Sequence, residues 1–205
     1  GRGGRWECVP VEVESETVQL AGWSFPRREV GTSPLGTWNL TPDPAVVTLG
    51  LIHGALDDPQ SRYAPLDRHR LRNLPVAAWL LGHQHAPQLL DEAGGPWVLY
   101  PGSPQAMDPG EPGTHGAWLV TLEHGGPLAP RPVPLSSVRY EVVPIDLSGI
   151  DSREAFGSLL PSKLRAEAER LVHASGTHLR ALSLRLRLQG RTRLRRELGR
   201  MVEQV

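Results

Sequence analysis

Residues 79–85 read WLLGHQH, an apolar run that ends in Gly82 and delivers two histidines one residue apart, His83 and His85. A second run, AVVTLGLIHG over residues 45–54, has the same shape and ends in His53 and Gly54. Unbroken apolar runs without alternating polar positions are what strands look like when a parallel sheet buries both their faces. Two such strands, joined by a polar segment with a short helix over residues 67–74, point to an α/β fold. In open α/β sheets the ligand site forms outside the carboxyl ends of the strands, where all three histidines fall. An extended H-x-H segment also projects both rings to one side.

Working outward, VPVEVE (residues 9–14) and VQLAGWSF (residues 18–25) read as strands joined by a short turn. A Pro/Gly/Thr-rich loop separates them from the first apolar run. Beyond the second run, a strand is expected at residues 97–100, then a long Gly/Pro loop, a strand at 117–122, a Pro-rich connector at 127–134 and a strand at 138–145. The texture changes after residue 150. A helix opens near residue 152, Pro161 is placed to open a second one, and Gly176 sits where it would stop. LSLRLRLQG (residues 182–190) alternates strictly, with four leucines on one face and Ser183, Arg185, Arg187 and Gln189 on the other. An Arg-rich final helix is expected over residues 191–205. The chain thus divides into an α/β body, residues 1–138, and a small α+β module, residues 139–205.

Basic and acidic residues balance at 22 each, so the chain as a whole has no global attraction to nucleic acid. The distribution is uneven: residues 176–205 hold eight Arg against two Glu, a local excess of six positive charges. That face either binds phosphates or is simply solvated. Cys8 is the single cysteine, which excludes an internal disulfide framework or a thiolate metal site and fits a small core residue in a reducing compartment. With no apolar run of membrane length and no signal-peptide pattern, a cytoplasmic protein is expected.

Neutral imidazole is a common ligand for Zn, Mn and Fe, so three histidines at two strand ends could hold a metal. H-x-H alone is weak, because a histidine is more often a surface or core residue. The glycines that accompany these histidines add to the pattern. A strand ending in His-Gly, followed by a strand ending in G-H-x-H, resembles the calcineurin-like metallophosphoesterases. YPGSPQ at residues 100–105, with the acidic Gly/Glu loop and apolar strand after it, is similar to the segment that follows G-H-x-H in the SbcD/YhaO-type DNA repair exonucleases. The tail LSLRLRLQGRTRLRREL resembles the strand and helix that end their capping domain.

The resemblance implies a calcineurin-like β-sandwich flanked by helices, here partial, followed by an α+β capping domain. It also implies a hydrolase that cleaves DNA phosphodiesters with two divalent ions, usually Mn²⁺. On this pattern His53 and His83 bind one ion and His85 the other. The loop at Gly102 and Ser103 would form a rigid wall beside them, and Arg185, Arg187, Arg191 and Arg193 would contact phosphates. Partners implied are DNA, an SbcC-like (YhaN-like) coiled-coil ATPase and a possible second copy of the chain, with no membrane. The family draws its remaining ligands from D-x-H, G-D-x-x-D and G-N-H-[DE] motifs upstream of the histidines, including a bridging Asp. Asp57, Asp58, Asp91, Asp108 and Glu111 match none of these. The chain opens on Gly, and the expectation is a C-terminal portion that is inactive alone.

Two other readings stay open. One is a phosphatase or cyclic-nucleotide phosphodiesterase of the same superfamily, which the basic tail argues against. The other is a non-catalytic scaffold that binds DNA or a partner. Of the remaining candidates, Ser103 lacks the G-x-S-x-G context of a nucleophile. Trp79 and Trp97 are expected in the core, and His115 and His124 as solvated loop residues. His69, His173 and His178 carry no assigned role.

Overall fold

The two apolar runs lie side by side at the centre of a six-stranded sheet, in a computed structural model that describes residues 3–13, 16–90, 95–123, 126–127 and 129–202. In chain order the body contains β1 (Trp6–Val13), β2 (Glu16–Trp23), β3 (Thr48–His53) and the two-residue strands β4 (Ala55–Leu56) and β5 (Pro65–Leu66). Helix α1 (Arg68–Arg72), β6 (Ala78–Gly82), β7 (Gln88–Leu90) and β8 (Trp97–Tyr100) follow. Next come β9 (Gly116–Leu119), the short pair β10 (Leu122–Glu123) and β11 (Gly126–Pro127), and β12 (Arg131–Pro134). The sheet order is β1-β2-β3-β6-β8-β7. Strands β2, β3, β6 and β8 run parallel, and β1 and β7 close the edges antiparallel. The chain is thus mixed α/β with few helices, as its sequence reads.

One face of the sheet buries Trp6, Trp23, Ile52, Trp79, Leu81 and Tyr100 under the loop and helix residues Val30, Leu35, Ala64, Leu66 and Leu71. The other face buries Val18, Leu49, Ala78, Trp97 and Leu99, with Trp118, Val120 and Leu122 packed against them. Both Trp79 and Trp97 are therefore core residues. The Trp79 indole N–H donates to the Leu71 carbonyl at 3.1 Å, and the Trp6 indole N–H to that of Pro34 at 3.0 Å. The second face is only partly covered, since Val9, Val13 and Leu51 remain about half exposed. Cys8 is half-buried in the edge strand β1 and is not a core residue.

The expected Pro-rich connector contains a strand, β12, which pairs with β9. Pro132 and Pro134 are two residues apart, so both missing N–H groups fall on one side and the other side can still pair.

By compactness the chain divides into two units, Gly1–Pro104 with Gly116–Val133, and Gln105–His115 with Pro134–Val205. Polar contacts within the second unit explain why the loop at Gln105–His115 groups with it. Gln105 Oε1 accepts from the Ser137 N–H at 2.9 Å, its Nε2 donates to the Val138 carbonyl at 3.0 Å, and Gly113 N–H donates to the Tyr140 carbonyl at 2.9 Å. His115, expected in solvent, is instead 1% exposed, its carbonyl accepting from Leu135 and Ser136.

The second unit is a parallel strand pair, β13 (Val138–Asp146) and β14 (Ala181–Gln189), joined by helix α2 (Arg153–Ser175). Val143, Ile145, Phe156, Leu160 and Leu194 form its core, with the β14 leucines Leu184, Leu186 and Leu188 packed against them. Pro161 does not start a second helix; α2 runs through it. Pro161 and its i−4 residue Gly157 are both exposed, so the missing hydrogen bond falls on the solvent face of the helix. The final Arg-rich helix is shorter than expected: a 3₁₀ turn (Arg193–Arg196), then α3 (Leu198–Val202). Among the described residues no helix is long and apolar enough to cross a membrane.

The closest packing in the body lies between β3 and β6. Gly50 pairs with Trp79, and a Cβ at Gly50 would overlap the indole ring. Gly50→Ala is expected to destabilise the chain by about 1–3 kcal/mol through overpacking, read as a lower urea midpoint with an unchanged slope.

Candidate functional site

His53 is the last residue of β3 and pairs directly with Gly82, the last residue of β6. That pairing explains the glycine in G-H-x-H. A Cβ at Gly82 would lie 2.6 Å from His53 Nδ1, so only glycine leaves room for the imidazole. Gly54 serves the adjoining turn in the same way, since a Cβ there would lie 2.6 Å from the Ala64 carbonyl oxygen. Gly54 N–H also donates to the Gly82 carbonyl at 3.2 Å, tying the two strand ends together.

The chain turns sharply after Gly82. His83 has φ 114°, a region that costs a non-glycine residue about 1–3 kcal/mol. The turn brings the His83 ring edge-to-face with His53 at a centroid distance of 5.5 Å, and against Tyr63 at 5.4 Å. Phe25 meets His53 edge-on at 5.9 Å. Segment 83–85 is not extended, so the expectation that His83 and His85 project to one side fails. His83 is half-buried in the aromatic pocket and His85 is exposed. The structure thus brings His53 and His83 together at the carboxyl ends of two parallel strands and does not gather His85 with them.

Burial, and then the nearby His83, push the His53 imidazole below its ordinary pKa of 6.5. It is therefore held neutral near pH 7, the form that binds metal. Beside it lies an open hollow of about 580 Å³ lined by Val9, Leu20, Leu51, His53 and Gly82, with Arg5 and Glu7 among its walls. The lining is mostly apolar, with Arg5 and Glu7 as its opposite charges.

Of the acidic residues named from the sequence, the four that are described are engaged in local structure. Asp57 accepts from the Arg68 backbone N–H and forms an ion pair with its guanidinium. Asp58 caps its own turn through Gln60 N–H at 3.2 Å, Asp108 accepts from Gly110 N–H, and Glu111 accepts from Met107 N–H. Asp67-Arg68-His69 spells D-x-H, which the reading of the sequence passed over. Asp67 is the N-cap of α1, accepting from Arg70 N–H at 2.8 Å, and His69 is exposed. Asp91 and His124 lie outside the described residues. As donors, His53 and His83 fit part of the shell of one divalent ion. They do not make a two-metal centre, since among the described residues no group of three or more His, Cys, Asp or Glu is placed to hold an ion.

The loop expected beside the histidines touches the backbone of His85. Gly102 has φ 77°, and Ser103 N–H donates to the His85 carbonyl at 2.8 Å. In the second unit Arg185, Arg187 and Arg191 are exposed and have no ion pair among the described residues. Arg193 differs: its backbone N–H donates to Asp151 Oδ1 at 2.9 Å and its guanidinium lies 3.9 Å from the same carboxylate. Thr192 accepts from Leu194 N–H at 3.0 Å, and Gly190 (φ 95°) passes so close to Asp146 and Ser148 that no Cβ fits. The G-R-T string is thus built into the turn, with Arg191 left free to act. Phe25, Tyr63 and Tyr100 were not singled out from sequence, because an aromatic residue's role as a neighbour depends on loops whose course the sequence does not show.

No protein-family profile matches the chain. Over 110 residues it is 31% identical to the uncharacterized metallophosphoesterase YhaO of Bacillus subtilis (strain 168). The matched stretch is 53% of this chain and 26% of that protein, so the chain spans about a quarter of the relative's length. The likeness supports the metallophosphoesterase superfamily at that level.

Since His53 resists protonation in the folded chain, its burial contributes stability that is present above pH 6.5 and lost as pH falls through that value toward the folded pKa. NMR titration of the His53 ring is expected to give a midpoint below 6.5. His53→Gln should flatten the corresponding part of the stability profile.

Proposed function

We propose that this chain carries the histidine part of a metal-dependent phosphodiesterase centre, together with an Arg-rich module for the DNA backbone, in a DNA exonuclease or endonuclease of the SbcD/YhaO type. The observation that carries this reading is the approach of His53 to His83 beside Gly82, at 5.5 Å, where parallel strands end. The likeness to YhaO supports the phosphoesterase part, and with it a hydrolase. Two divalent ions, Mn²⁺ in this reading, would polarise the phosphoryl oxygens and supply a hydroxide nucleophile when bound.

The chain's own residues have distinct tasks. His53 and His83 present their imidazoles to one ion, and His85 stands for the second. Gly82 makes the room, and the aromatic rings of Phe25 and Tyr63 limit ring movement. Arg185, Arg187 and Arg191 hold phosphates without reading bases, with Arg193 contributing less because Asp151 already engages it. The same reading pairs the protein with an SbcC-like coiled-coil ATPase and with a second copy of itself, in the cytoplasm.

A second reading has one observation in its favour. A non-catalytic scaffold needs no complete ligand set, and the described residues contain none. Paramagnetic Mn²⁺ separates the two. In the proposed function it broadens the His53 and His83 ring signals before those of His69, His173 and His178. Without bridging carboxylates the chain alone should show no Mn²⁺-dependent DNA cleavage. Broadening elsewhere, or none, favours the scaffold, while cleavage would overturn the view that the centre here is partial.

DNA binding is read by fluorescence anisotropy across a salt series. Log affinity should fall linearly with log salt. Arg185→Ala with Arg187→Ala should reduce the slope by about 2, since each arginine removed leaves one more phosphate with its counterion. An unchanged slope would remove both residues from the interface.

A further inference from the structure

Residues 100–103 touch the backbone at both histidine-bearing loops. Tyr100 is 1% exposed, and its hydroxyl makes two hydrogen bonds to backbone just past His53. It donates to the Gly54 carbonyl at 2.7 Å and accepts from the Leu56 N–H at 3.0 Å. Three residues on, Ser103 N–H donates to the His85 carbonyl at 2.8 Å. Between them, Gly102 approaches so closely that a Cβ would lie 2.6 Å from the His85 carbonyl oxygen and 2.8 Å from Pro87 N, and its φ of 77° disfavours any other residue. The segment is itself anchored, because the Trp118 indole N–H donates to the Pro101 carbonyl at 3.1 Å.

Phenylalanine would fill the core position of Tyr100, and many residues could form a loop at 101–103. Here a hydroxyl reaches the turn after His53, and a glycine is required where the loop meets His85. We infer that residues 100–103 are a brace that sets the spacing between the His53 loop and the His83–His85 loop, with Tyr100 the positioning residue for the first and Gly102 with Ser103 for the second. The inference rests on the reading that these histidines hold metal, and it deepens that reading by naming what orients them. Burial pushes the Tyr100 phenol up to about 12, so the donor proton is present throughout the physiological range.

The test uses the whole chain, labelled for NMR, with Tyr100→Phe and Gly102→Ala as two variants. Tyr100→Phe should speed amide exchange at Leu56 by about tenfold and shift the His53 ring signals, leaving those of His85 in place. Gly102→Ala should do the reverse, shifting His85 and sparing His53. Each should weaken Zn²⁺ binding, followed on the same ring signals, by about tenfold. The brace is overturned if neither variant moves its own histidine, or if both variants shift His53, His85 and the buried Trp79 indole alike, which would mean general loosening. If Zn²⁺ leaves the His53 and His83 signals of the unmodified chain unmoved, the metal reading fails. Exchange at Leu56 and the selective ring shifts still decide the brace.

Discussion

The body depends on how closely β3 and β6 can approach, and two glycines permit it. At one level of the pair Gly50 lies under the Trp79 ring, and three residues further along Gly82 lies beside the His53 ring. Each strand gives up a side chain where the other presents a ring. The first exchange anchors the core, and the second positions the His53 imidazole. Both belong to one register, and a slip of one residue would turn Trp79 out of its core and separate Gly82 from His53. Fold and site therefore depend on the same register.

The site that results is tightly constrained. His53 is kept uncharged by burial and by its neighbour, and His83 is held in a costly backbone conformation against Tyr63. Such strain persists only where surrounding structure over-determines it. Here the surroundings include the Gly54–Gly82 bond and the Tyr100 hydroxyl, both acting on backbone within three residues of His53. These bonds are stronger support for a function than the H-x-H letters, which many proteins share.

Much of this was legible in the sequence, and the failures have physical causes. The central strands were readable because burial on both faces leaves unbroken apolar runs, and β14 because burial on one face leaves alternation. The placement of the histidines at strand ends followed directly. Three readings failed because tertiary context overrode local preference. Pro161 sits inside α2 because its lost bond faces solvent. Residues 131–134 form a strand because their prolines alternate. Segment 83–85 bends where extension was expected. His115 was misplaced since nothing in a Gly/Pro loop announces that it will fold onto residues 135 and 136. The pairing of Asp151 with Arg193 was likewise invisible, being a contact across 42 residues.

The division of charge within the chain bears on how it could work. Around His53 the hollow is lined by valine and leucine, with one arginine and one glutamate among its walls. Such a surface is a weak attractant for a polyanion, because its one arginine is offset by its one glutamate. The second unit is the opposite case. Arg185 and Arg187 stand exposed on one face of β14 and have no acidic partner among the described residues. A guanidinium has no acceptor with which to take a proton from water. The two sets of residues therefore respond to different conditions. Screening by salt acts on the arginines, whereas protonation of imidazole acts on the histidines.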